Sequence, residues 1–186
     1  MKRILICMFA VILLGGCKSD STQMAKAIAF RETIQHAKEC TFTAQVTTDY
    51  GDSIYTFGVE CRADSGNNMN IQVSEPETIS GITCNVSGQT GKLIFDDKVL
   101  LFETLTDGQI TPVLSPWLMM HAIRGGSIAY CTLDDRRMRL RIEDTFSDTP
   151  FATEVYLNES NVPCYAEIVW QGRRIVSIQI SNFTIL

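Results

Sequence analysis

Apolar and polar residues alternate along most of the chain, and this alternation limits the fold more than any other feature. Every second residue is apolar between Cys40 and Val46, and the same pattern resumes between Tyr55 and Cys61. A period of two is typical of a strand with one buried face. Further short apolar segments bounded by turn residues follow in order: 69–73, 82–86, 93–95, 99–102, 128–132, 138–142, 151–157, 165–170 and 175–180. The pattern therefore predicts about ten consecutive short strands.

Two segments have a helical pattern instead. The segment from Gln23 to Glu39 predicts an amphipathic helix, because apolar residues recur there every three or four positions. They are Met24, Ala27, Phe30, Ile34 and Ala37. Residues 115–124 begin with Ser-Pro, a helix start with serine as N-cap, and are followed by Gly-Gly, which ends a helix. This second helix is apolar nearly all round, so we expect it to be buried or to cover an apolar surface.

These elements predict an α+β fold in one domain spanning residues 23–186. Strands with one apolar face need a second layer to cover that face, and only two helices are available to supply it. A strongly curved antiparallel sheet accommodates both helices. We therefore expect an open half-barrel of about ten strands, with the N-terminal helix and the short mid-chain helix on its concave face. No internal repeat or linker divides this region.

The N-terminus has the features of an export signal. The basic pair Lys2-Arg3 precedes an uncharged apolar segment, Ile4 to Leu14, which is far shorter than the ~20 residues that span a bilayer. The sequence that follows, Leu-Gly-Gly-Cys, resembles the lipobox of bacterial lipoproteins. An ordinary signal peptide with an incidental cysteine is the alternative.

The lipobox resemblance implies a lipid anchor. Residues 1–16 would be removed as the signal peptide, and Cys17 would become the acylated N-terminus of a short tether, residues 17–22. The mature protein would then be held on the cell membrane facing the outside, or facing the periplasm in a diderm organism.

Charge and cysteine content exclude some classes of function. The net charge is −5, and loss of Lys2 and Arg3 with the signal would make it −7, which disfavours nucleic acid as a partner. The cysteines that remain beyond Cys17 have no Cys-x-x-Cys spacing, and of the two histidines, His36 and His121, only His36 is near a cysteine, four residues before Cys40. A zinc site is therefore not expected, and no cofactor is implied.

Five cysteines remain after Cys17, so at least one must be unpaired or must pair between two chains. They are Cys40, Cys61, Cys84, Cys131 and Cys164. A first hairpin centred on the Tyr50–Gly51 bond would place Cys40 opposite Cys61, which makes this pair the disulfide candidate. A loop longer or shorter by one or two residues would separate them.

The order of elements resembles the LolA/LolB-like lipoprotein-carrier superfamily. The residues that carry the resemblance are the helix-to-strand entry from Ile34 to Val46, Pro76 with residues 82–102, and the closing strands 161–168 and 175–183. The retained lipobox cysteine makes the chain more like membrane-held members, such as the Gram-positive branch that includes clostridial spore-germination lipoproteins. The resemblance implies a helix running into a sheet bent into an open barrel, with short mid-chain helices at its mouth.

Two functions follow as hypotheses, and neither is enzymatic, because no nucleophile elbow, metal-protease motif or other catalytic motif is present. The first is binding of a lipid, a lipoprotein acyl chain or another amphiphile in an apolar cavity. The residues expected to line it are Phe42, Tyr55, Phe57, Val59, Trp117 and Met120. The alternative to this cavity is a dry core filled by the mid-chain helix.

The second hypothesis is a protein-interaction module of an envelope or spore-germination complex, with its cavity closed. A disulfide-linked homodimer is a further variant, because the number of cysteines is odd. Arg137, Arg139 and Arg141 alternate on one strand and could bind lipid headgroups or an acidic partner. A solvated outer face, neutralised by Asp134, Asp135, Glu143 and Asp144, is the favoured interpretation.

Overall fold

The computed structural model describes residues 18–88, 90–103, 105–106, 109–134, 136–146 and 149–186. The predicted signal peptide and Cys17 lie outside these residues, as does Asp135. Among the described helices, none combines the length and apolar character needed to cross a bilayer.

The elements follow the order predicted from the sequence. Helix α1 spans Lys18–His36 and helix α2 spans Ser115–Gly125. The strands are β1 (Glu39–Asp49), β2 (Ile54–Asp64), β3 (Met69–Glu75), β4 (Thr83–Ser87), β5 (Thr90–Phe95), β6 (Lys98–Glu103), β7 (Leu105–Thr106), β8 (Gln109–Ile110), β9 (Ser127–Asp134), β10 (Arg137–Phe146), β11 (Thr149–Leu157), β12 (Pro163–Trp170) and β13 (Arg173–Ile185). Short 3-10 helices occupy Glu77–Ile79 and Pro112–Leu114.

One open antiparallel sheet of 11 strands forms the body of the domain, and the predicted α+β half-barrel is confirmed. Its strand order is β6-β5-β4-β3-β2-β1-β13-β12-β11-β10-β9, while β7 and β8 form a separate two-stranded sheet. The last strand, β13, pairs with the first, β1, so these two strands lie side by side in the middle of the sheet. The outermost strands are β6 and β9.

Helix α1 begins earlier than the sequence predicts. Its first residue is Lys18, so most of the segment expected to be a tether is helical. The buried face of α1 is the predicted one, with Ala27, Phe30 and Ile34 in the core, and Ala37 is buried just beyond the last helical residue. Two polar side chains fasten it to α2: Arg31 Nε donates to the Ile123 carbonyl at 2.8 Å, and Gln35 Nε2 donates to the Arg124 carbonyl at 2.6 Å.

Helix α2 fills the concave face of the sheet. Its apolar side chains from Trp117 to Met120 are buried, and it contacts β2, β10, β12 and β13. The Trp117 indole N–H donates to the Asn67 carbonyl at 2.8 Å, which ties the helix to the β2–β3 turn. The sequence predicts Ser115 as the N-cap of α2, but Ser115 does not cap the helix. The preceding 3-10 turn already supplies helical backbone, and the Ser115 hydroxyl donates to the Pro112 carbonyl.

The first hairpin differs from the predicted register by two residues. Asp49 pairs with Ile54, which leaves a four-residue connection, 50–53, and moves the centre of the hairpin by one residue. Cys40 therefore lies opposite Ala63, and Cys61 lies opposite Phe42. The predicted Cys40–Cys61 disulfide is not formed, and both cysteines are free and buried.

Candidate apolar groove

A groove of about 540 Å³ opens to solvent at the end of the sheet where β2 begins and β3 ends. We call it the apolar groove. Most of its lining residues are apolar, and they come from four segments of the chain: Ile54–Phe57 of β2, Val73 of β3 with Pro76, Ile79 and Ile82 of the β3–β4 connection, Leu93 of β5, and Thr111–Val113 before α2. Volumes of a few hundred Å³ with mostly apolar walls are typical of sites for small molecules.

The start of β2 supplies the exposed wall of the groove. Ile54 and Tyr55 are 67% and 54% exposed, although both are large and largely apolar. The strict alternation of buried and exposed residues holds only further along β2, and Ile54 and Tyr55 both border the groove. The side chain of Phe57, by contrast, is buried at the base of the groove.

A compact turn forms the second wall. The Ile79 N–H donates to the Pro76 carbonyl at 3.0 Å, and the Gly81 N–H donates to the Val73 carbonyl at 2.9 Å. Gly81 has a φ of +87°, a backbone conformation that glycine adopts without steric cost. This turn brings Ile79 and Ile82 back over the end of β3, where both pack against the core.

The third wall is the segment just before α2. The Tyr50 hydroxyl donates a hydrogen bond to the Ile110 carbonyl, which fastens this segment to the β1–β2 connection. Burial raises the pKa of Tyr50, so the hydroxyl keeps its proton at neutral pH. Leu114 is buried immediately after the groove residues, so α2 is anchored in the core while Pro112 and Val113 border the groove.

The structure brings only two of the predicted cavity residues to this groove. Tyr55 and Phe57 line it, while Val59, Trp117 and Met120 are buried in the core. Phe42 is also buried, and its ring stacks on Phe183 with centroids 5.4 Å apart. The mid-chain helix therefore fills the interior, as the alternative interpretation expects, and the open apolar space lies beside it.

Sequence reasoning missed most of the other lining residues. Ile54 had a usable signal, because an apolar residue directly before Tyr55 departs from the alternation of β2. Ile79 and Val113 had none, because they lie in irregular segments whose path depends on tertiary contacts.

A second hollow, of about 690 Å³, lies where α2 ends beside β10 and β11. Its walls mix apolar residues with charged ones, among them Arg141, Glu143 and Asp144. The apolar groove is therefore the better candidate for binding an apolar ligand.

The arginine row of β10 is neutralised mainly by a residue that the sequence analysis did not select. Arg139 Nη2 lies 2.6 Å from Glu154 Oε2, and Arg141 Nη1 lies 3.0 Å from Glu154 Oε1. Glu154 comes from the neighbouring strand β11 and is buried. Of the predicted neutralising residues, Glu143 contacts Arg141 at 3.5 Å, whereas Asp144 lies 3.5 Å from His121 instead.

Within the described residues, no group of three or more histidine, cysteine, aspartate or glutamate side chains is placed to hold a metal ion. The buried thiols have raised pKa values because burial disfavours the thiolate, and the pKa of Cys84 rises to about 11.

No protein-family model matches the chain, and no curated protein matches it. Solved structures do share its fold. A conserved protein of unknown role from Thermus thermophilus has a TM-score of 0.50 at 10% identity, covering 88% of each chain. A domain assigned as an outer membrane lipoprotein-sorting protein from Vibrio parahaemolyticus has a TM-score of 0.50 at 8% identity, covering 86% of this chain and 91% of that one. A LolA superfamily protein from Nitrosomonas europaea has a TM-score of 0.49 at 12% identity, covering 86% and 93%.

Identities this low show the fold alone. The chain shares the fold of the Vibrio parahaemolyticus domain, and the resemblance inferred from its element order is confirmed at the level of the fold.

Proposed function

We propose that this chain is an envelope lipoprotein that is anchored through an acylated Cys17 and holds an acyl chain or another amphiphile in the apolar groove, without catalysing a reaction. The observation that carries the proposal is the groove itself: about 540 Å³ of open space lined mostly by apolar side chains. The lipobox resemblance at residues 14–17 and the LolA-like fold support the envelope location.

Transfer of apolar surface from water to the ligand would drive binding. Ile54 and Tyr55 expose most of their side chains to water in the free protein. Burying one such side chain under a ligand stabilises the complex by about 1.5–3 kcal/mol. Two exposed side chains and the partly buried Ile79, Ile82 and Leu93 therefore offer enough apolar surface for micromolar binding of an alkyl chain, which needs about 8 kcal/mol.

Native mass spectrometry of the exported domain 18–186, which contains every described element, tests the proposal. We expect a lipid adduct, either retained from the host or acquired after incubation with membrane lipids. An unliganded mass under both conditions would contradict lipid binding. The same spectrum, recorded with and without reductant, shows whether a thiol joins two chains.

A pair of matched variants locates the site. We predict that Ile54→Asn weakens binding of the lipid at least about tenfold, because it removes apolar surface from the groove wall. Leu133→Asn is the control, since Leu133 on β9 is similarly exposed, at 63%, but lies outside the groove. Equal loss of binding in both variants would contradict the assignment of the site.

A second candidate function, protein interaction, is favoured by the outermost strand β6. Leu100 and Leu101 are 61% and 67% exposed and point to opposite faces of the sheet. Among the described strands, β6 pairs only with β5, so its outer backbone groups are available to an added strand. Binding of a partner from an envelope or spore-germination complex should be lost in the Leu101→Asn variant and retained in the Ile54→Asn variant.

A further inference from the structure

The connections beside the mouth of the apolar groove are rich in acidic residues. Three connections meet at this end of the sheet: 50–53 before β2, the β3–β4 connection, and the turn between β5 and β6. Each lies within a few residues of a groove-lining residue. Together they carry four exposed carboxylates: Asp52, Glu77, Asp96 and Asp97.

These carboxylates are not neutralised by ion pairs. Asp49, in the same region, is paired with Arg173 at 2.7 Å. The ion pairs found among the described residues include none of the four. Lys98, beside the β5–β6 turn, is the cation closest to them in sequence. The mouth therefore has a local excess of negative charge around an apolar interior.

We infer that the groove takes an amphiphile with a cationic headgroup and discriminates against anionic ones. This inference rests on the proposed function, because it concerns the same groove. An alkyl chain that lies along Phe57, Ile79 and Leu93 leaves its headgroup at the mouth, in water and beside the carboxylates. A single pair of opposite charges about 4 Å apart in water changes affinity by about fivefold, and a like pair opposes binding by a similar factor.

The net charge of the chain acts in the same direction. At −5 overall, the protein attracts cations and repels anions at distances beyond direct contact. A test must therefore separate the local charge of the mouth from the charge of the whole molecule.

The test uses three ligands with the same alkyl chain, each kept below its micelle concentration: dodecyltrimethylammonium, dodecyl maltoside and dodecyl sulfate. Calorimetric titration of the 18–186 domain should give at least about tenfold tighter binding of the ammonium than of the sulfate at low salt, with the maltoside between them. Raising sodium chloride to about 0.5 M should shrink this difference to about twofold, because exposed charges are screened.

Two variants with equal changes in net charge separate local from global electrostatics. The groove variant combines Asp52→Asn, Glu77→Gln and Asp97→Asn. The control variant combines Glu32→Gln, Glu60→Gln and Asp134→Asn, which are also exposed and in no ion pair among the described residues. We expect the groove variant to lose most of the preference for the ammonium and the control to keep most of it.

The outcomes distinguish this inference from the proposed function. Equal binding of all three ligands, or an equal loss of preference in both variants, overturns the cationic preference and leaves lipid binding in place. Binding of none of the ligands, the neutral maltoside included, overturns both and leaves a protein partner as the occupant of the groove.

Discussion

At the scale of the residue, a single buried carboxylate organises the outer face of β10 and β11. Glu154 accepts hydrogen bonds from Arg139 Nε and Nη2 and from Arg141 Nη1. The Tyr156 ring lies 5.8 Å from the Arg139 guanidinium carbon, so the arginines and the aromatic ring together exclude water from Glu154. Arg139 and Arg141 therefore stabilise the sheet by pairing with Glu154, and this pairing leaves them less suited to binding lipid headgroups.

We predict that Glu154→Gln lowers the free energy of unfolding by about 2–3 kcal/mol, because it leaves the partly buried Arg139 without a counterion and Arg141 with only the exposed Glu143. Urea unfolding followed by circular dichroism measures the change. Glu159→Gln is the control, since the Arg136–Glu159 contact is exposed and 3.9 Å long, and it should cost less than about 0.5 kcal/mol. Similar effects of the two substitutions would show that burial of Glu154 contributes nothing.

Buried thiols should make the fold sensitive to alkaline conditions. Burial raises the pKa values of Cys61, Cys84 and Cys131 above that of a free thiol. The unfolded chain ionises first, so this contribution to stability is complete below about pH 9 and is lost as pH rises from there toward the folded-state values.

We therefore predict that the urea midpoint falls steadily between about pH 9 and 11, and that Cys84→Ala reduces the slope, since the pKa of Cys84 is about 11 in the fold. Unfolding curves at a series of pH values measure this slope. An unchanged slope in Cys84→Ala would contradict the assignment to that thiol.

At the scale of the element, the passage from α2 into β9 depends on close packing around one glycine. A Cβ atom on Gly126 would lie 2.6 Å from Ile142 Cγ2 and 2.9 Å from the Ala122 carbonyl oxygen. The adjacent Gly125 has no neighbouring atom within 4 Å of that position. The same pair of glycines therefore contains one position closed to a side chain and one open to it.

We predict that Gly126→Ala destabilises the domain by about 1–3 kcal/mol through overpacking, whereas Gly125→Ala is neutral or stabilising by up to about 1 kcal/mol because alanine favours helix. Thermal unfolding of the two variants measures the difference. If Gly126→Ala left the thermal stability unchanged, the α2–β9 junction would have to be able to move away from β10.

The elements also show where sequence reasoning succeeds and where it ends. The alternation from Cys40 to Val46 identified β1 and its buried face, because burial of one face imposes a period of two. It could not fix the length of the connection after Asp49, so the hairpin register and the disulfide inferred from it were wrong. Helix α1 was found from its apolar face, but its first residues are polar and carry no such signal.

At the scale of the whole molecule, the fold class could be predicted but the position of the open space could not. One-faced strands with two covering helices left few arrangements, and the structure has the predicted one. Which part of the concave face α2 would cover depends on contacts such as Trp117 to Asn67, 50 residues apart. The groove is the part of the apolar surface that those contacts leave uncovered.

The proposed lipid anchor would give the whole molecule its location at the membrane, and we predict that Cys17→Ala abolishes that location. The wild-type chain should incorporate labelled palmitate and require detergent for extraction from membranes, whereas the variant should do neither. Cys164→Ala, which removes a half-buried thiol, is the control and should behave as the wild type. Detergent-dependent extraction of the Cys17→Ala variant would mean that another segment holds the chain on the membrane.

The early start of α1 would limit how far the domain extends from the membrane when the chain is anchored at Cys17. This helix begins at Lys18, one residue beyond the proposed lipid attachment, and its 19 residues rise about 28 Å. A helix resists bending and stretching, unlike the slack linker of many anchored proteins. Arg31 and Gln35 join it to α2, and its apolar face packs in the core, so a stiff helix would connect the sheet to the proposed attachment at Cys17. With that anchor, the protein would reach only a thin layer above the bilayer, and its ligands or partners would have to be present at the membrane surface.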